Sequence, residues 1–438
     1  MNIRIGFISV LVLLTCHAAA QQRLAVEDVV VTALEKDYNI RLSQNFLESS
    51  ETDAGNAVGL FIPDFSLTGG RSWTRSNSTQ LFADNSEVVR PNIKQNALNG
   101  QAQLTWTLFD GLKMFATYKG LQQVAGVNEV QLKNQMANTM ASVIGNYYSV
   151  VAQEQQLKAI NEQISVGEER VKLAERKLQV GSGAKTELLQ ARLDQNAFKT
   201  LALQQEAQII QTKALLNQTA GMTLPDEFQV ADTIPLNLGL TMEEIMDGIE
   251  STSPTLIAAR GNIEVARFAL KARRGDRLPV INFVSGYNFN RNESNQAANQ
   301  FQPIGNRTGG FNYGFTASWP LLNNLVVKNN VQLAEINLKR QEMFYEQAKA
   351  AASANVKIAY ANYDNARKTL VIEEENIGFA RENVTILLES FKRGIATFIE
   401  LRTAQQSAVE AYNRLTTARY NAKVSETELL RLKGGLLR

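Results

Sequence analysis

Few side chains in this sequence could carry covalent chemistry. The single cysteine, Cys16, and the single histidine, His17, both fall within the first twenty residues. That stretch combines Arg4, an apolar run from Ile5 to Leu14, and Ala18, Ala19 and Ala20, the pattern of a secretory signal cleaved before Gln21. A mature chain that has lost both residues has no thiol nucleophile, no imidazole base, no disulfide and no Cys/His zinc site. Cys16 has a second reading as a lipoprotein acceptor, although Leu14 and Thr15 before it fit a lipobox poorly. No paired-carboxylate pocket, phosphate loop or metal-ligand spacing stands out, so the expectation is no enzyme, no metal and no cofactor. What recurs is a carboxylate: Glu187 and Glu400 each stand six residues after a glycine, Gly181 and Gly394. A fixed carboxylate there either attracts cations or is an ordinary solvated helix residue.

The elements that place these residues come from an internal repeat. The segment Leu24 to Asp28 recurs as Leu240 to Glu244, and Phe61 to Phe65 as Arg277 to Ile281, both displaced by 216 positions. Further on the displacement becomes 213. Trp106 to Asp110 matches Trp319 to Asn323, Tyr147 matches Tyr360, Gly181 matches Gly394, and Gly221 matches Gly434. The change falls in Ser76 to Asn99 and Asn292 to Gly310, whose Asn, Ser, Gln and Gly content reads as loops. Each half reads as helix, helix, strand, loop, strand, very long helix, glycine turn, long helix. The implied divisions are a signal at 1–20, a first α-β-β-α repeat at 21–221, a linker at 222–239 and a second repeat at 240–438.

Four segments alternate as strands do when one face is apolar and the other wet. Phe65, Leu67 and Trp73 alternate with Ser66, Thr68, Ser72 and Thr74, while Ala102, Leu104, Trp106 and Leu108 alternate with Gln101, Gln103, Thr105 and Thr107. Ile281, Phe283, Tyr287 and Phe289 are set against Asn282, Asn288 and Asn290; Phe311, Tyr313, Phe315 and Trp319 against Asn312, Thr316 and Ser318. All three tryptophans, Trp73, Trp106 and Trp319, lie in these segments, as expected of aromatics at a membrane interface. A small soluble sheet with one packed face would alternate likewise. Four strands cannot close a membrane barrel, which takes about eight, so closure in lipid requires several chains.

No proline interrupts Leu112 to Leu178 or Leu325 to Phe391, which allows roughly 67 residues or about 100 Å of helix at ~1.5 Å per residue. The charge density excludes a transmembrane helix, and lengths of this order signal coiled coil. Leu401, Ala404, Ala408, Ala411, Leu415, Ala418, Ala422, Ser425, Leu429 and Leu432 step by three and four as a heptad seam. The same frame 213 residues earlier runs from Leu188 to Thr219 with more polar residues, and shorter seams precede each glycine turn. Alanine in such a seam lets helices approach closely, as in a wall of packed hairpins. A secreted periplasmic coiled-coil rod with no transport role also fits the helices, but leaves the aromatic strands without purpose. Lys plus Arg total 45 against 43 Asp plus Glu, interspersed, so no basic stripe for nucleic acid exists.

Repeat, strands and hairpins together resemble the TolC family of outer membrane efflux proteins. The resemblance rests on the tandem halves, on Trp106 to Gly111 leading from strand to helix, and on the turns Val180 to Gly183 and Arg393 to Ala396. After each turn comes a Glu-Leu-x-x-Ala pattern, Glu187 to Ala191 and Glu400 to Ala404. The resemblance implies an α+β membrane protein, a homotrimer with one 12-stranded β-barrel, four strands per chain, continued by a 12-helix α-barrel of coiled-coil hairpins with a small mixed equatorial belt. It implies an exit duct of tripartite efflux or type I secretion, in the bacterial outer membrane and extending into the periplasm. Its partners would be outer membrane lipid, a periplasmic adaptor and an inner membrane pump. The adaptor would meet the hairpin tips, here Val180, Gly181 and Ser182 with Arg393, Gly394 and Ile395. The family's closed aperture is held by a tyrosine, an arginine and carboxylates. The matching positions here are Phe391, Ala396, Glu400 and Thr403, so the hydroxyl, the guanidinium and one carboxylate are missing. In a trimer Glu187 and Glu400 would place six carboxylates at the constriction, a ring favouring cations.

Overall fold

A computed structural model describes residues 24–437 apart from 226, 298–300 and 302. The signal at 1–20, with Cys16 and His17, lies outside the described residues. The elements follow the expected order in both halves, with one additional four-residue helix in the second. Helices α1 (Val26–Lys36) and α2 (Tyr38–Asn56) precede strands β1 (Asp64–Leu81) and β2 (Glu87–Phe109), then helices α3 (Lys113–Gln179) and α4 (Lys185–Thr219). The second round is α5 (Met242–Met246), α6 (Ile249–Thr252), α7 (Pro254–Gly275), β3 (Val280–Ser294), β4 (Gly305–Ser318), α8 (Val326–Lys392) and α9 (Phe398–Lys433). The two longest helices, α3 and α8, have 67 residues each, displaced by one residue from the proline-free windows. Two compact units emerge, and each draws on both repeats: one holds residues 43–133 and 253–351, the other up to 42, 134–252 and 352–438.

The sheet occupies the first of these units. Its strands run antiparallel in the order β1-β2-β3-β4, leaving β1 and β4 as edges. Residues directly opposite in an antiparallel pair share a face. Phe65 pairs with Leu104, Leu67 with Ala102, Ala102 with Tyr287, Trp106 with Phe283, Phe283 with Phe315 and Tyr287 with Phe311. The four alternating rows thus merge into one apolar face. Its edge-strand members are open to the surroundings, Leu67 at 74% and Phe315 at 72% exposure, while Ala102, Leu104 and Phe283 on the inner strands are half-buried. The opposite face carries Gln101, Gln103, Asn288 and Asn312, joined by hydrogen bonds of 3.0 Å (Gln101 to Gln103) and 3.1 Å (Asn288 to Asn312). A contiguous apolar face of this extent on a folded chain marks a surface made for a non-aqueous neighbour.

The loop expected at Ser76 to Asn99 is mostly strand, and the one at Asn292 to Gly310 begins and ends as strand, β4 starting at Gly305. Only residues 82–86 separate β1 from β2, and β3 runs to Ser294. Polar side chains leave the backbone ladder as strong as apolar ones do, and where both faces are wet the alternation that advertises a strand disappears. Side chains even extend the pairing: Asn295 accepts from Lys94 N–H through its Oδ1 at 2.7 Å and donates its own N–H to the Lys94 carbonyl at 3.0 Å.

Trp106 and Trp319 have a role the alternation did not reveal. The Trp106 indole N–H donates to the Phe61 carbonyl at 2.9 Å, and the Trp319 indole, one residue beyond β4, to the Arg277 carbonyl at 3.1 Å. Phe61 and Arg277 are themselves repeat equivalents, so each half ties its strand end to the segment that enters the sheet. Trp73 is 71% exposed, with the Arg71 guanidinium 5.0 Å from its ring.

The helical unit is built on the seams. Leu401, Ala404, Ala408, Ala411, Leu415, Ala418, Ala422 and Leu429 of α9 are buried, as are Ala191, Ala202, Ile209, Thr212 and Leu216 of α4. Tyrosines fasten the chain between hairpins to the helices. Tyr147 donates to the Leu24 carbonyl at 2.7 Å and accepts from the Ala231 N–H at 2.9 Å. In the second half this role belongs to Tyr363, which donates to the Asn237 carbonyl at 2.8 Å and accepts from Leu240 N–H at 3.3 Å. The sequence match of Tyr147 with Tyr360 therefore misses the functional counterpart by three residues. Three residues are close to one helical turn, so both tyrosines lie near one face and the pattern cannot separate them.

Candidate functional site at the hairpin tips

Each hairpin turns at a glycine in the left-handed region, Gly181 at φ +75° and Gly394 at φ +77°. The hydrogen bonds match. Gly181 N–H donates to Leu178 and Ser182 N–H to Lys177, at 3.1 and 2.9 Å; Gly394 donates to Phe391 and Ile395 to Ser390, again at 3.1 and 2.9 Å. This is the Schellman closure that satisfies carbonyls at a helix end. A Cβ at either glycine would meet no atom within 4 Å, so the backbone angle, not crowding, requires glycine. The turns present apolar side chains to solvent: Val180 is 77% exposed and Ile395 76%, Ile399 in the first turn of α9 is exposed too, and so are Ser182 and Arg393.

The two carboxylates after the turns are not equivalent. Thr397 caps α9, its hydroxyl accepting from Glu400 N–H at 3.3 Å, while the Glu400 carboxylate accepts from the Thr397 N–H at 2.7 Å and hydroxyl at 2.8 Å. This reciprocal capping box satisfies two donors of the first turn. At the equivalent position α4 has Ala184, which offers no cap, and Glu187 is half-buried in the first turn. The donated hydrogen bonds from Thr397, backbone first, hold the Glu400 carboxyl below its ordinary range. A depressed folded-state pKa contributes stability above the unfolded value, about 4.3, and that contribution is lost as pH falls through the lower folded value. Acidification from about pH 5 to about pH 3 is therefore expected to fray the second tip more than the first. Hydrogen exchange compared between Ile399 to Leu401 and Thr186 to Leu188 reads this; equal changes would remove the cap from the account.

The other residues expected at the aperture differ in exposure. Phe391 is a seam residue, 2% exposed, with the Lys177 ammonium 4.3 Å from its ring. Ala396 is half-buried, and the exposed Thr403 donates its hydroxyl to the Ile399 carbonyl at 3.0 Å within its own helix. The structure joins Glu400 to its cap and Phe391 to the first hairpin through Lys177.

Sequence reading missed the main polar contact between the hairpins. Arg170 of α3, 2% exposed, bonds Asp194 Oδ2 of α4 at 3.0 Å and the Gln405 side-chain carbonyl of α9, with its guanidinium 4.4 Å from the Phe398 ring. Arg402 lies 3.3 Å from the same Asp194 oxygen, and Gln190 donates to Oδ1 at 2.9 Å. Burial pushes the Arg170 pKa down, and Asp194 opposes that shift. Arg170, Asp194 and Gln405 each stand one residue off a seam position, where charge ordinarily means solvent. Their coincidence becomes visible only when three helices are brought together.

Comparison with known proteins adds to this geometry. A family model described as outer membrane efflux protein matches residues 29–222 and 247–435. Protein CyaE of Bordetella pertussis is 21% identical over 394 residues, covering 89% of this chain and 80% of that protein. The alkaline protease secretion protein AprF of Pseudomonas aeruginosa is 22% identical over 368 residues, covering 82% and 73%. Among solved structures, CusC, described in terms of transmembrane channel formation, superposes with a TM-score of 0.77 at 17% identity over 94% of this chain and 92% of its own.

Proposed function

The chain belongs to the outer membrane efflux protein family, and we propose from that premise how its parts share the work of an exit duct. The protein is an outer membrane channel extending into the periplasm, the exit duct of a tripartite efflux or type I secretion system, and it conducts substrates without converting them. Three copies, four strands each, make its 12-stranded β-barrel, continued by a 12-helix α-barrel of coiled-coil hairpins with a small equatorial belt. The single observation that carries the reading is the in-register apolar face on a sheet with both edges open. A periplasmic rod would have to leave that face in water.

In this reading the polypeptide divides after the signal into repeats at 21–221 and 240–438, with 222–239 as an equatorial linker. The apolar sheet face, with Trp73, Trp106 and Trp319, meets outer membrane lipid. The tips, Val180, Gly181 and Ser182 with Arg393, Gly394 and Ile395, dock a periplasmic adaptor that couples the duct to an inner membrane pump. Support comes from the exposed Val180 and Ile395, which nothing in the hairpins needs for packing. Replacing both with aspartate is expected to lower adaptor crosslinking and export at least about tenfold, the scale of one lost central apolar contact, with the heat-labile trimer intact. Unchanged crosslinking would place the docking surface elsewhere.

Glu187, Phe391, Ala396, Glu400 and Thr403 surround the aperture in the same reading. The two carboxylates are expected to differ, because Glu400 is engaged by its cap and Glu187 is not. Single-channel reversal potentials should show a larger drop in cation preference for Glu187→Gln than for Glu400→Gln. Unchanged preference in the double variant would remove the ring from the mechanism.

A further inference from the structure

We propose that the junction between sheet and helices binds the headgroup of an anionic phospholipid of the periplasmic leaflet, an inference that rests on the outer membrane reading above. A concave site of about 400 Å³ lies where β2 passes into α3 and α7 into β3. Its apolar part is Leu112, Phe115 and Leu278, all exposed, and its cationic part includes Lys119 and Lys271. The neighbouring carboxylates are engaged: Asp276 by Lys113 at 2.9 Å and Arg273 at 3.6 Å, Glu335 by Arg274 at 3.0 Å. Asp110 accepts from the Met114 N–H at 2.9 Å, so the N-terminus of α3 already has its anion. Lys119 and Lys271 have no carboxylate partner among the described residues; the Lys271 ammonium rests 5.1 Å from the Phe268 ring.

Two contacts make this site continuous with the apolar sheet face. The Phe61 ring, whose backbone carbonyl receives the Trp106 indole, lies 5.1 Å from the Phe115 ring. The Arg277 carbonyl that receives the Trp319 indole immediately precedes Leu278. Trp106 and Phe283, a direct pair, put the first of these tryptophans on the apolar side. Leu112 is held exposed at φ +66°, a conformation costly for leucine, and its repeat equivalent Leu325 repeats this at φ +64°. An apolar floor that runs onto a membrane face, edged by unpaired ammonium groups, suits an acyl chain with a phosphate head. A free phosphate would gain nothing from Leu112, Phe115 or Leu278.

The test titrates the full-length duct, purified as its oligomer in detergent, with phosphatidylglycerol, with phosphatidylcholine of the same chains, and with glycerol 3-phosphate, and reads bound lipid by native mass spectrometry. Wild type is expected to prefer phosphatidylglycerol, and the Lys119→Gln/Lys271→Gln variant to lose affinity roughly fivefold per cation, about twenty-five-fold together. Lys119→Arg/Lys271→Arg is expected to retain it, as is Lys199→Gln on α4. Equal affinity in the glutamine variant, no preference in wild type, or displacement of the lipid by glycerol 3-phosphate would overturn the proposal. Heat-labile oligomer and bilayer conductance, measured on the same samples, report on the duct separately: their presence without lipid preference sinks the lipid site alone, and their absence in wild type sinks the duct.

Discussion

Replacing Asp194 with leucine is expected to destabilise the helical unit by about 3 kcal/mol, the scale seen when one partner of a buried ion pair is removed. The cost arises because Arg170, 2% exposed, would keep its charge and lose the carboxylate 3.0 Å away, with Arg402 adding a like charge nearby. Arg170→Met together with Asp194→Leu is expected to recover most of that loss. The network is incompletely satisfied even in the native protein, since Arg170 Nε and Gln405 Nε2 are buried without hydrogen-bond partners, and apolar replacements of such clusters are often neutral or better. Thermal melts of the two single variants and the double variant close the cycle. Additive losses would show that Arg170 and Asp194 do not act as a pair. Single-channel recordings of the same proteins show whether this contact also restrains the tips: longer openings for Asp194→Leu, and wild-type behaviour for the double variant, are the expected pattern.

The second large effect is expected at Gly111. Its φ is +76°, and a Cβ there would stand 2.3 Å from the Gly275 carbonyl oxygen, where the entry to α3 crosses the exit of α7. Left-handed backbone costs a non-glycine residue about 1–2 kcal/mol, and overpacking against backbone that cannot yield adds about 1–3 kcal/mol. Gly111→Ala should therefore lose roughly 3 kcal/mol or more and fail to assemble. Gly181→Ala meets nothing within 4 Å and should lose only the backbone component, about 1 kcal/mol. The repeat offers a comparison: Asn324 occupies the equivalent place at φ +52°, so a residue with a side chain can hold that angle. Heat-labile oligomer yield separates the two variants. Comparable yields would mean that the crossing of the two backbones is not a fixed feature.

How far the sequence carries depends on which interactions are periodic. The 67-residue helices were visible because no proline interrupts them, and the buried apolar positions of α9 keep to the heptad frame, whereas its buried polar residues Gln405, Thr416, Glu426 and Thr427 fall off it. The apolar rows of the four strands were equally visible, but their register was not. That Phe65, Leu104, Tyr287 and Phe311 share one face follows from pairing, which no single segment encodes. Strand ends were misread where Asn and Ser replaced alternation, because backbone pairing there is indifferent to side chains. At the tips, glycine identity announced the turns, and Thr397 three residues before Glu400 is a capping signal legible in the sequence. Arg170 was hidden for the opposite reason. A buried polar cluster shared by three helices leaves no repeating trace in any of them.

The central claim is that one chain supplies a third of a closed duct. Mature protein extracted from outer membranes in mild detergent should therefore weigh three chains by light scattering, migrate as that oligomer until boiled, and give discrete conductance steps in planar bilayers. A stable monomer that stays in the periplasmic extract and leaves bilayers sealed would contradict it.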